Sequence, residues 1–288
     1  MDSGLSDFHP LHIFKSLKIK PKKSWGQSFL QNLSLLDQPL SFLGLKPGGR
    51  VLEIGAGIGN VTERIAPYGA KVLAIEIDRR FTPILTMIEK KYPNVQILYQ
   101  DALSLTWDEL WQGESYDLFG NVPYYITGPI LEKILLKEKN WQKAALLLQE
   151  EVAERILSPP GSKSYSSLSV IAQFKARLSR GPRVPKGCFF PPPKVDSLFL
   201  FLERKATPDF YVSEENFFLR LVRGAFRERR KTLRNNLLRL FPSLSPDILN
   251  SIEESTGISL SRRPETLSLK EYCLLENALF GAFYGKSL

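Results

Sequence analysis

The 288-residue chain is 43% hydrophobic, enough for a sizeable core divided between one larger domain and one smaller. Its 39 Lys+Arg against 30 Asp+Glu leave a net charge of +9 and a pI near 9.4, which points to a polyanionic partner or a basic patch without saying which polyanion. The two distant cysteines, Cys188 and Cys273, argue against a disulfide framework or a cysteine zinc site, and the only histidines, His9 and His12, lack the support a metal needs and leave no His-based triad elsewhere.

The opening MDSGLSDF lacks the basic start and apolar core of a signal peptide. Apolar runs such as AALLL and LFLFL fall well short of a membrane span, so a soluble, unprocessed, cytoplasmic protein without membrane contact is expected. Residues 1–20 read as an extra arm, and KPKKSWGQSFL follows, with basic residues preceding Trp25, Gly26, Gln27 and Phe29. KPGG at 46–49 introduces RVLEIGAGIGNVTERIAPYG, in which an apolar run ends at Gly55 and a helical period, Val61 and Ile65, begins after Asn60. AKVLAIEID repeats the strand pattern, a helix is expected around Phe81 to Lys91, and NVQILYQDAL gives a third strand ending in Asp101. YDLFGNVPYYI reads as a fourth strand and KAALLLQEEVAERIL as a fifth leading into a helix. The alternation predicts an α/β fold with an open, mainly parallel sheet covered on both faces. KVDSLFLFLERK is expected to close that sheet, and from about residue 206 the pattern is helical.

In such sheets ligands bind beyond the carboxyl ends of the strands. Those ends carry Gly55, Gly57 and Gly59, then Glu76, Asp101 and Asn121. The glycines permit a sharp turn and close approach of the backbone, and the helix behind them offers free N–H groups. A dinucleotide fingerprint would need glycine at position 60, where this chain has Asn60. Glu76 is placed to accept both ribose hydroxyl protons, with Asp78 as the alternative ligand, and Asp101 to accept from an adenine amine, with a helix N-cap as its alternative. A glycine loop and two acids on successive strands describe an adenosine cofactor without a pyrophosphate, and methyl transfer from S-adenosylmethionine fits best.

Asn121, followed by Pro123 and Tyr124, can hold a planar amine: the Asn121 oxygen and the Val122 or Pro123 carbonyl take its two protons, and Tyr124 stacks on the base. Accepting both protons frees the nitrogen lone pair for attack on the sulfonium methyl. A proline-containing turn is the alternative for this stretch, and Tyr125 is expected to be packing.

Taken together, KSWGQSFL, VLEIGAGIGNVT, AIEID, QDAL, NVPYYIT, FFPPPKVDS and RRKTLRNNL resemble the ribosomal RNA adenine N6-dimethyltransferase family, nearest its bacterial small-subunit, kasugamycin-resistance type, over residues 22 to about 280. The resemblance implies a Rossmann-like seven-stranded methyltransferase domain at 31–205, preceded by an N-terminal arm and cofactor-covering motif at 1–30 and followed by a small all-α RNA-binding domain at 206–288. It implies S-adenosylmethionine as donor and two adjacent adenines near the 3′ end of small-subunit ribosomal RNA, met within a pre-assembled subunit, as acceptors, with the protein a monomer. Cofactor contacts carry over onto Ser28, Leu30, Gly55, Glu76, Asp101 and Asn121, to which the glycine turn adds Gly57. Tyr124 matches the base-stacking tyrosine and Phe189 the aromatic covering the base's other face, although the adjacent Phe190 leaves open which ring faces the pocket. Trp25 and Ser28 depart from the family, which often has another aromatic or aliphatic residue and an Asn there.

Arg155, Lys163, Lys175, Arg177, Arg180, Arg183, Lys186 and Lys194 lie in a stretch without acidic residues, and Arg220, Arg223, Arg227, Arg230 and Arg234 recur at spacings that place all five on one face of a helix. In a chain that acts on a base such a stripe favours phosphate contacts, against the alternative of a solvated face. A base in structured RNA must leave its stack, and KPKKSWGQSFL, with Gly26 as a hinge, is expected to close over cofactor and base. Two other readings stand beside this one: a large-subunit adenine methyltransferase of the macrolide-resistance type, and an RNA-binding assembly factor with dispensable catalysis.

Overall fold

A computed structural model describes residues 10–22 and 25–285; His9 and Lys23, named above, lie outside the described residues. Its centre is a seven-stranded sheet built from β1 (Arg50–Ile54), β2 (Lys71–Ile75), β3 (Val95–Leu98), β4 (Tyr116–Asn121), β5 (Trp141–Gln149), β6 (Ala176–Val184) and β7 (Ser197–Arg204). The spatial order is β3-β2-β1-β4-β5-β7-β6. β1 to β5 pair in parallel and β7 runs antiparallel to β5. Helices that include α1 (Asp37–Leu43) and α2 (Thr82–Lys91) pack on the sheet, and the inner strands β1 and β5 are near-continuous apolar runs rather than alternating ones.

KVDSLFLFLERK is the last strand in sequence but does not close the sheet in space, because β6 lies outside it. β6 escapes a sequence reading because ARLSRGPRV carries three arginines, a glycine and a proline, the composition of an edge strand that must not recruit another chain. Gly181 has a packing reason: a Cβ there would stand 2.7 Å from both Phe199 and Phe201 on the neighbouring strand.

By packing, the described chain divides into two compact units, one comprising residues up to Ala153 with Leu178–Arg204, the other Glu154–Arg177 with Lys205 onward. The second unit therefore takes in residues 154–177, which a linear reading leaves in the sheet domain. The helix α3 (Ser167–Lys175) accounts for this. It buries Val170, Ile171 and Phe174, and the Phe174 ring lies 4.4 Å from that of Phe218 on α4 (Glu215–Ala225). α5 (Leu233–Leu240), α6 (Pro246–Thr256) and α7 (Leu269–Tyr284) complete this helical unit. Among the described residues no helix is long and apolar enough to cross a membrane.

Candidate active site

Strand register sets the geometry. Ile54 at the end of β1 pairs with Ile75 on one side and Gly120 on the other, so Gly55, Glu76 and Asn121 leave the sheet at one level. β3 stops at Leu98, level with Ile75, and Asp101 follows three residues later rather than ending the strand. All four line one cavity, together with Gly57, Pro123, Tyr124, the N-terminal residues Trp25 to Phe29, and Phe189.

Gly55, Gly57 and Gly59 all have positive φ, and at Gly57 (φ +57°) a Cβ would stand 2.8 Å from the Phe29 ring. The Gly57 N–H donates to Glu76 Oε2 and the Asp78 N–H to Glu76 Oε1, both at 2.6 Å. Burial pushes the Glu76 carboxyl above its usual range, while these two N–H bonds pull the other way. Asp78, the alternative ligand, is outside the cavity lining and instead takes hydrogen bonds from Arg80 and Gln27. Asp101 is an N-cap, its Oδ1 accepting the Leu103 N–H at 2.9 Å, and the residue also lines the cavity. A turn that excludes side chains, a buried carboxylate with both oxygens oriented, and a second acid in the loop after the next strand fit the adenosine part of the expected cofactor.

The N-terminal segment reaches the cavity through a two-residue antiparallel ribbon, Phe29–Leu30 against Phe189–Phe190. Ser28 contributes its backbone, since its hydroxyl donates to the Pro191 carbonyl at 2.8 Å. Leu30 is buried and absent from the cavity wall; its carbonyl accepts from the Asn60 amide, which locks the glycine turn to this segment. Phe189 lines the cavity, whereas the Phe190 ring lies 5.8 Å from Phe14, which resolves the order of the two rings.

On the acceptor side, Asn121 donates from Nδ2 to the Ser28 carbonyl at 3.0 Å, which fixes the amide and leaves Oδ1 as the acceptor. The half-buried Tyr124 is anchored through its hydroxyl to Ser197 Oγ at 3.1 Å, and burial raises its phenol. Tyr125 is not packing: it is 59% exposed and stands at the rim beside Gly26. Asn60, Ser197 and Gln27 escaped the sequence reading, because each acts through a partner far away in the chain.

The arginine stripe is not one helix face. α4 ends at Ala225, residues 226–230 turn, and α5 returns against α4 at Gly224, where a Cβ would stand 2.4 Å from Leu240. Arg220 lies over the Phe241 ring at 4.9 Å, Arg223 ends the exposed face of α4, Arg227 and Arg230 sit exposed in the turn, and Arg234 pairs with Glu253 and Asn250. Several cations of the earlier stretch are also paired: Arg183 with Glu150 and Asp196, and Lys175 with Glu215.

A mixed seven-stranded sheet in this order, parallel from β1 to β5, with a glycine turn and an oriented acid at its adjacent strand ends and an Asn-x-Pro-Tyr turn at β4, defines a Rossmann-like, S-adenosylmethionine-dependent methyltransferase. Two solved structures share the fold: a dimethyladenosine transferase from Plasmodium falciparum (TM-score 0.74, 24% identity, 89% of this chain and 98% of that one) and the 23S rRNA methyltransferase ErmE (TM-score 0.69, 23%, 87% and 99%). Residues 18–275 match the family described as ribosomal RNA adenine dimethylase, and the chain belongs to that family. Its relatives include the proteins named ribosomal RNA small subunit methyltransferase A of Bacillus cytotoxicus, 39% identical over 90% of this chain and 91% of the relative, and of Syntrophotalea carbinolica, 41% identical over 88% and 94%.

Proposed function

We propose that this protein transfers methyl groups from S-adenosylmethionine to the N6 amines of two adjacent adenines near the 3′ end of small-subunit ribosomal RNA, giving N6,N6-dimethyladenosine. The observation that carries the reading is the fixed Asn121 amide, with its oxygen available at the cavity beside the anchored Tyr124 and across from the buried Glu76. The cofactor, when bound, supplies an electrophilic sulfonium methyl. Glu76 would hold its ribose hydroxyls, Asp101 its adenine amine, and the Gly55–Gly57 turn would give its backbone room.

Asn121 Oδ1 accepts one N6 proton. The Pro123 carbonyl already takes the Ile126 N–H and the Thr127 hydroxyl, so the second proton falls to the Val122 carbonyl. Two acceptors that draw the N–H bonds out of the ring plane bring its nitrogen toward tetrahedral geometry and localise the lone pair. Tyr124 and Phe189 hold the base between them, so the residues contribute orientation and electrostatics rather than a strong base. The product ammonium is acidic and loses its proton to solvent after transfer.

RNA binding is assigned to the exposed Arg223, Arg227 and Arg230, with Arg220 and Arg234 holding the helical unit together. The substrate is taken to be RNA within a pre-assembled subunit, acted on in the cytoplasm by a monomer. Methylation of small and large subunits lacking the modification, followed by mapping of dimethyladenosine, tests the reading. Label confined to two adjacent small-subunit adenines supports it, and label on large subunits overturns it. Asn121→Ala should abolish turnover while leaving subunit binding intact.

A further inference from the structure

The cofactor side and the acceptor side of the cavity are joined by a short path of hydrogen bonds that leaves the cavity and re-enters it. Glu76 Oε1 accepts the Asp78 N–H at 2.6 Å. Asp78 Oδ2 accepts Gln27 Nε2 at 2.8 Å, and the peptide from Gln27 leads into Ser28, whose carbonyl holds the Asn121 amide at 3.0 Å. Asp78 is 2% exposed, so its charge needs internal partners, and Arg80 supplies one through Nε at 2.9 Å and 3.1 Å. Burial works to raise this carboxyl, yet the bonds from Arg80 and Gln27 hold it down at about 2, so it is an acceptor at every working pH. Gln27 is held at its other end too, Oε1 accepting the Lys22 N–H at 2.8 Å, and Arg80 Nη1 donates to the Lys20 carbonyl at 3.0 Å.

A glutamine held at both ends fixes the backbone that follows it. Were Gln27 released, Asp78 would keep Arg80 and its N–H bond to Glu76, whereas the Ser28 carbonyl would be held from one side only, by the Ser28 hydroxyl on Pro191 and the pairing of Phe29 with Phe190. We infer that Gln27 is a positioning residue for the methyl acceptor: through Asp78 it holds the Ser28 carbonyl where that carbonyl turns the Asn121 amide oxygen toward the target amine. This rests on the proposed roles of Glu76 and Asn121. Its consequence is asymmetric, since the chemical step depends on Gln27 while affinity for cofactor and RNA does not.

The test compares the full-length wild type, Gln27→Met, Gln27→Glu, Asp78→Asn and the double variant Gln27→Glu/Asp78→Asn. For each, kcat on unmodified small subunits, KM for RNA, Kd for S-adenosylhomocysteine by calorimetry and Tm are measured. Gln27→Met removes the bonds at both ends of the side chain, of which the one to the charged Asp78 sets the scale, and should lower kcat roughly tenfold with KM for RNA and Kd within about twofold of wild type. Gln27→Glu faces the Asp78 carboxylate and should fall further; the double variant exchanges donor and acceptor across the pair and should regain at least half of that loss on a logarithmic scale. An unchanged kcat in Gln27→Met, a loss confined to Kd, or a double variant no better than Gln27→Glu alone overturns the inference. A wild type that neither binds S-adenosylhomocysteine nor methylates small subunits would instead overturn the proposed function.

Discussion

Glu53 sits at 1% exposure near the end of β1, under the glycine turn, where its Oε2 accepts the Thr62 hydroxyl at 2.7 Å. Burial pushes its carboxyl up to about 8; the Thr62 bond opposes this and the negative charge of Glu76 adds to it. Between the ordinary value of 4.5 and about 8 the folded protein therefore holds a proton that the unfolded chain has lost. Stability from this group is complete below pH 4.5 and is lost progressively as pH rises to about 8. At about 1.4 kcal/mol per pH unit, the loss over that window is on the order of 5 kcal/mol. Glu53→Gln keeps an acceptor for Thr62 but removes the titration. Urea unfolding of both proteins from pH 5 to pH 9 should give similar free energies at the acid end and a variant several kcal/mol more stable at the alkaline end. A difference that stays constant across this range would refute the assignment of a neutral carboxyl at Glu53.

Three further outcomes are expected. Tyr124→Phe keeps the ring but loses the Ser197 bond, and should reduce kcat about tenfold with little change in RNA affinity, measured under saturating cofactor. Gly57→Ala places a Cβ against Phe29 at positive φ, and calorimetry should show cofactor affinity weakened by about tenfold or more, while Gly113→Ala, also at positive φ but with open space around it, leaves affinity unchanged. Replacing Arg223, Arg227 and Arg230 together by Glu should weaken RNA binding and flatten its dependence on salt; a titration from low to high salt that overlays the wild type would remove these residues from the interface.

The parts of the fold that sequence reveals are those where one physical cause dominates. β1, β2 and β5 are buried on both faces and read as apolar runs, and the glycines after β1 announce a turn no other residue makes. Because parallel register brings strand ends to a common level, Glu76 and Asn121 could be placed together before any coordinates. β6 was hidden because protection of an edge overrides the apolar pattern, with Arg177, Arg180 and Arg183 all outward. The arginine spacing matched a helix, yet the chain turns after Ala225 so that α5 can pack at Gly224, a tertiary demand that local spacing does not carry. Tyr125 was expected to pack and is a rim residue, because the short turn at Tyr124–Ile126 directs neighbouring rings to different sides.

The ribbon that pairs Phe29–Leu30 with Phe189–Phe190 also bears on synthesis. All the strand-end acids and glycines emerge from the ribosome early, but the aromatic that lines the cavity, and the strand that seats the N-terminal segment, arrive only with Phe189, and the partner of the Tyr124 hydroxyl only with Ser197. A chain that ends before Phe189 therefore lacks both the partner strand of Phe29–Leu30 and one wall of the cavity, so the site closes only when segments some 160 residues apart meet.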